Sequence, residues 1–125
     1  MNKVLCSAQV ATPVGPFSQG IQAGNMVFIS GQLPMEVGAT TLLDGTIEEQ
    51  THLCMKNIIA ILAEAGMTLN DVVKTTIFLK DMGNFGRVNA VYGEYFKDCP
   101  PARACIQVVL PKDADIEIEA IAVRS

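Results

Sequence analysis

The alternation of apolar and polar positions divides the chain into a strand-rich first third and a later part in which helix and strand signals alternate. Residues 26–30 (Met-Val-Phe-Ile-Ser) form a short β-rich run that stops at Gly31. Thr12-Pro13, Gly15-Pro16 and Leu33-Pro34 interrupt regular structure around it, and Glu36 to Gly45 predicts a loop or hairpin tip.

The clearest helix is predicted from Ile47 to about Ala65. Ile47, Thr51, Cys54, Ile58, Ile61, Leu62 and Ala65 recur at helical spacing and mark its buried face. Thr46 and Glu49 have the spacing of a capping box, in which each side chain satisfies an orphan amide of the first turn. Gly66 follows at the position where a left-handed residue ends a helix. Glu48, His52 and Lys56 fall four apart on the wetter side, so His52 is expected to be a solvated surface residue.

Val72 to Lys80 reads as a strand with Val73, Thr75, Ile77 and Leu79 on one face. A second helix follows, capped by Asn84, with Phe85, Val88, Tyr92 and Tyr95 or Phe96 as its apolar stripe. These aromatics are expected to be core packing. Cys99-Pro100-Pro101 ends that helix. Ala102 to Leu110 is a strand, Pro111 to Ala114 a turn, and Ile116 to Val123 a returning strand, so a C-terminal hairpin is expected. The order predicts an α+β fold, a β-sheet with two helices packed on one face, and the length suits a single domain over residues 1–125.

Composition narrows the function classes. Half of the 125 residues are hydrophobic and only 18% are charged, which points to apolar surface hidden against another subunit. The net charge is −4 with no basic run, so nucleic acid is not an expected partner. Four cysteines, Cys6, Cys54, Cys99 and Cys105, form no C-x-x-C pair, and His52 stands alone, so no metal site is expected. The first residues lack a continuous apolar stretch, and the longest apolar run, Ile58 to Ala63, is too short to cross a bilayer. Reduced thiols in a cytoplasmic protein are the expectation.

Period two puts Arg103, Cys105 and Gln107 on one face of their strand and Ala104, Ile106, Val108 and Leu110 on the other, which reads as the core face. A guanidinium on a rigid strand has two uses: a structural ion pair with Glu117 or Glu119, or a bidentate grip on a carboxylate. Glu117 and Glu119 share a face of the last strand, suited either to acid–base work or to a solvated sheet surface. A guanidinium two residues away could favour a Cys105 thiolate. Covalent Cys–His catalysis does not fit, because the only histidine lies on the first helix. Neither a phosphate-cradling G-x-x-x-x-G-K-[ST] loop nor a G-x-G-x-x-G fingerprint occurs.

Residues 101–105 (Pro-Ala-Arg-Ala-Cys) and 116–123 (Ile-Glu-Ile-Glu-Ala-Ile-Ala-Val) resemble the C-terminal signature of the RidA/YjgF family. Residues 15–20 (Gly-Pro-Phe-Ser-Gln-Gly) and 30–34 (Ser-Gly-Gln-Leu-Pro) resemble its two N-terminal motifs, and Asn84-Phe85 with Val88-Asn89 resembles its second-helix pattern. The matches run in order over nearly the whole chain. The resemblance implies a chorismate-mutase-like fold with a mixed β-sheet, a homotrimer with pockets between subunits, and cofactor-free hydrolysis of 2-aminoacrylate, 2-iminopropanoate and 2-iminobutanoate to 2-keto acids and ammonia. It implies that Arg103 binds the substrate carboxylate, Glu117 positions water, and the Cys105 backbone carbonyl holds the imine nitrogen. The Gly31 N–H would face the carboxylate, and Phe17, Ser30 and Asn89 would line the pocket. Phe17 stands where the family commonly has Tyr, Ala104 where it commonly has Ser, and residues 97–101 form a shorter stretch than in many relatives. The competing reading is a non-catalytic module on the same scaffold that binds a small carboxylate or a protein. The family has also been linked to translation inhibition, RNA cleavage and chaperone-like behaviour.

Overall fold

A computed structural model describes residues 2–125. The elements are β1 (Lys3–Leu5), β2 (Gly20–Ala23), β3 (Met26–Gln32), α1 (Ile47–Ala63), β4 (Val72–Leu79), α2 (Phe85–Tyr95), β5 (Ala102–Gln107) and β6 (Ile116–Val123). All six strands join one sheet in the order β1-β2-β3-β6-β4-β5. Every neighbouring pair is antiparallel except β4 and β5, which run parallel. A parallel pair needs a crossover, and α2 supplies it. β3 and β4 both run antiparallel to the β6 strand between them, and α1 crosses from one to the other.

α1 begins at the expected capping box: the Glu49 N–H donates to Thr46 Oγ1 at 3.1 Å, and the Thr46 N–H donates to Glu49 Oε1 at 2.9 Å. It closes just before Gly66, whose φ of 68° needs no Cβ, and the Met67 N–H returns to the Leu62 carbonyl at 3.0 Å. Cys54, Met55, Ile58, Ile61 and Leu62 from α1 bury themselves against Val27, Ile77, Leu79, Ile116 and Ile118 of the sheet. The core therefore lies between the helices and one sheet face. Phe28, Ile21 and Ile121 pair across three strands on the opposite face, in line with Phe78 and Ile106 further along, and no helix covers them.

Several expectations fail for identifiable reasons. The C-terminal hairpin does not form, because β4 lies between β5 and β6. The link is too long for a tight hairpin. It passes over the end of β4, where the Val108 N–H donates to Leu79 O at 2.9 Å and the Lys80 N–H to Asp115 O at 3.0 Å. β5 also stops at Gln107 rather than Leu110. Ala104 and Ile106 are not core residues; Ile106 is 44% exposed. The register sets Arg103 beside Thr75 and Cys105 beside Ile77, so the odd-numbered residues of β5 face the helices. Val73 leaves the expected buried face at an irregularity between Val72 and Lys74 and becomes exposed. Asn84 makes no side-chain cap. Asp81 holds the preceding single turn instead, accepting from the Gly83 N–H at 2.8 Å. His52 is partly exposed as expected, but its Nδ1 lies 2.7 Å from the Tyr95 hydroxyl.

Candidate functional site

Arg103 projects from edge strand β5 towards α2. Its Nη1 donates to Asn89 Oδ1 at 2.7 Å. Its guanidinium carbon lies 5.1 Å from the Tyr92 ring centroid and 5.5 Å from that of Phe85. Such contacts at an exposed site contribute on the order of 0.5–1 kcal/mol each. The ion pairs among the described residues are Glu48–Arg87, Lys80–Asp113 and His52–Glu94. Arg103 is in none of them, so the structural pair with Glu117 or Glu119 does not form within the chain. Pro100, Pro101, Phe96, Tyr92 and Asn89 complete an open groove around the guanidinium.

Cys105 is partly buried against the core. Burial pushes its thiol pKa up, and nearby Arg103 only partly offsets this. A Cys105 thiolate is thus disfavoured, because desolvation outweighs the neighbouring charge, in line with the sequence reading of Cys105 as a pocket-lining residue rather than a nucleophile. Its backbone is placed differently. Leu79 O accepts from the Val108 N–H, so the even-numbered residues of β5 turn their amides and carbonyls towards β4. The carbonyls of Arg103 and Cys105 then point out from the open sheet edge.

Glu117 sits on the uncovered sheet face, because its neighbours Ile116 and Ile118 are wholly buried under the helices. Burial raises its carboxyl pKa above the ordinary value, and the like charge of Glu119 adds to the rise. Gly31 packs directly against it. A Cβ at position 31 would lie 2.5 Å from the Glu117 carboxyl and push that side chain aside, so the glycine leaves room for the carboxyl where it stands. Ser30 Oγ donates to the Ser18 carbonyl at 2.6 Å, and the Ser30 N–H to Gln19 O at 3.0 Å. That hydroxyl therefore braces the segment carrying Phe17. Phe17 itself is 53% exposed and lines a small cavity with Gly31, Leu33 and Val14.

The seven residues singled out in the sequence thus form two clusters. Arg103, Cys105 and Asn89 lie on the helix side at the β5 edge. Phe17, Ser30, Gly31 and Glu117 gather at β3 and β6, with Glu117 on the opposite face. β3 lies three strand spacings from β5, about 14 Å. Phe85 and Tyr92 at Arg103 were missed, since helix aromatics read as core. The signal was their spacing with Asn89: positions 85, 89 and 92 share one helix face. Among the described residues, no group of three or more His, Cys, Asp or Glu side chains could hold a metal ion. No helix there is long and apolar enough to cross a membrane.

Fold and site define a small α+β protein with an exposed guanidinium at one sheet edge and a carboxylate on the far face. The family model described as Endoribonuclease L-PSP matches residues 8–124. A RutC family protein of Pyrococcus horikoshii is 47% identical over 125 residues, covering 99% of each chain. The crystal structure of a candidate endoribonuclease from Thermotoga maritima superposes with a TM-score of 0.96 at 44% identity, covering 100% of this chain and 99% of that one. Escherichia coli TdcF, named as a candidate reactive intermediate deaminase, has a crystal structure with bound serine. It superposes with a TM-score of 0.93 at 38% identity, covering 98% of this chain and 99% of that one. The chain belongs to the Endoribonuclease L-PSP family, the RidA/YjgF family of its motifs.

Proposed function

We propose that this protein is a cytoplasmic hydrolytic deaminase of 2-imino acids and their enamine tautomers, 2-aminoacrylate/2-iminopropanoate and 2-iminobutanoate. The observation that carries this reading is the state of Arg103. Among the described residues it is paired with no carboxylate; it is stacked on two rings and tied to Asn89 through Nη1. Its remaining N–H groups suit a bidentate substrate carboxylate.

The protonated imine carbon is already electrophilic, so water can add without a protein nucleophile. Water adds to that carbon, the C–N bond breaks, and a 2-keto acid and ammonia leave. Glu117, with its raised pKa, suits a base that takes a proton from the attacking water and returns it to the departing nitrogen. The outward Cys105 carbonyl is an acceptor for the imine N–H. The serine bound to TdcF is an amino acid and carries the carboxylate and 2-nitrogen pattern of these substrates. The chemistry needs no cofactor.

Within one chain Arg103 and Glu117 cannot meet on one substrate, since they leave opposite sheet faces. We therefore assign the working form as an oligomer, the homotrimer that the family resemblance implies, in which each site takes Arg103, Cys105 and Asn89 from one copy. Glu117, Gly31, Ser30 and Phe17 come from the next. The uncovered apolar face through Phe28, Phe78 and Ile106 gives the copies a surface to share. The test is ammonia release from freshly generated 2-aminoacrylate and 2-iminobutanoate by purified protein beside Arg103→Ala. Acceleration lost in the variant supports the reading. No acceleration by folded protein favours the non-catalytic binding module.

A further inference from the structure

The floor beneath Arg103 contains a polar pair that the proposed chemistry does not use. The Tyr92 and Thr75 hydroxyls share a buried hydrogen bond of 2.7 Å. Thr75 is 1% exposed and stands directly beside Arg103 in the β4–β5 register. We infer that Tyr92 is a positioning residue: its ring, pinned by Thr75, sets the plane of the Arg103 guanidinium for carboxylate binding. This rests on the carboxylate role proposed above for Arg103.

Arg103 is exposed at a sheet edge, on a long side chain with no ion-pair partner among the described residues. The bond to Asn89 fixes Nη1 but leaves the plane free to swing about it. A bidentate grip needs that plane fixed, because both donors must meet both oxygens. The rings supply the second constraint. Phe85 is held at the start of α2, whereas Tyr92 is buried and locked on both sides, by Thr75 at its hydroxyl and by the Phe96 ring at 4.8 Å. An aliphatic pair could fill this core space without the cost of burying two hydroxyls. The hydroxyl pair instead gives the ring one orientation. The strand residue that registers with Arg103 thereby also orients the surface on which its guanidinium rests. Burial raises the Tyr92 pKa, so the ring stays a neutral phenol and does not compete with substrate as an anion.

The experiment measures pyruvate affinity and steady-state kinetics with 2-iminopropanoate for wild type, Arg103→Ala, Tyr92→Leu and Thr75→Val. Tyr92→Leu should weaken pyruvate binding and raise KM by about two- to fivefold with kcat little changed, because the lost interaction holds the carboxylate equally in ground and transition states. Thr75→Val keeps the ring but frees it, and should give a smaller shift in the same direction. A merely structural role would lower Tm and the active fraction while leaving KM and pyruvate affinity unmoved. Folded Tyr92→Leu that binds pyruvate like wild type overturns the inference. If that variant does not fold, unchanged affinity in Thr75→Val overturns it. Arg103→Ala separates the two readings: pyruvate binding that survives there removes the anchor itself. Binding lost there but intact in Tyr92→Leu removes only the role of Tyr92.

Discussion

Arg103 and Glu117 leave opposite faces of one sheet, on strands kept apart by β4. Arg103 shares a face with Thr75, and Glu117 shares the other with Phe78. No side-chain rotation brings the two together within a chain. The proposed chemistry needs a cationic anchor and a carboxylate around one small substrate, so that reading requires a second copy to complete each site.

Gly31→Ala tests the Glu117 half alone. The added Cβ would fall 2.5 Å from the Glu117 carboxyl, which must then swing away. A misplacement of about 1 Å in a catalytic group costs about 100-fold in rate. We expect kcat/KM for 2-iminobutanoate to fall by that order while the fold persists. Unchanged kinetics would mean that the placement of Glu117 does not matter.

The raised pKa of Glu117 has two consequences of definite sign. As a base, it makes the acid limb of the rate profile fall above the ordinary carboxylate range. Glu119→Gln removes the like charge and should move that limb to lower pH; an unmoved limb would assign it to another group. For stability, a carboxyl whose pKa is higher folded than unfolded stabilises most below its unfolded pKa, and this stabilisation is lost as pH rises through the folded pKa. Glu117→Gln should therefore raise Tm at neutral pH relative to its effect in acid, as thermal melts at the two pH values would show.

Phe17→Tyr adds a hydroxyl at a half-exposed position beside the Gly31 cavity. Tm should stay within about 3 °C, since surface substitutions are usually worth less than about 0.5 kcal/mol. The kcat/KM ratio between 2-iminobutanoate and 2-iminopropanoate should change. Identical ratios would leave position 17 a packing residue.

The two helices were legible because their signals are local. Thr46, Glu49 and Gly66 mark the ends of α1 within a few residues of chain, and the apolar spacing marks its buried face. The sheet order was not legible, because β5 and β6 are consecutive in sequence yet each pairs with β4. Alternation correctly separated Arg103, Cys105 and Gln107 from Ala104 and Ile106. It could not say which set meets the helices, since the β4 register decides that. An apolar Ile106 looks like core until the uncovered face is seen to be apolar too. Family motifs named Arg103, Glu117 and Gly31. The Gly31–Glu117 contact became visible only once β3 and β6 were paired.

Subunit mixing tests the shared site most directly. Arg103→Ala and Glu117→Gln, each expected to be inactive alone, are co-refolded in equal amounts and assayed for ammonia release from 2-iminobutanoate. If each site takes Arg103 from one copy and Glu117 from the next, random assembly should leave about a quarter of the sites intact and restore about that share of wild-type activity. Mixed oligomers that form and remain inactive would contradict a site shared between copies.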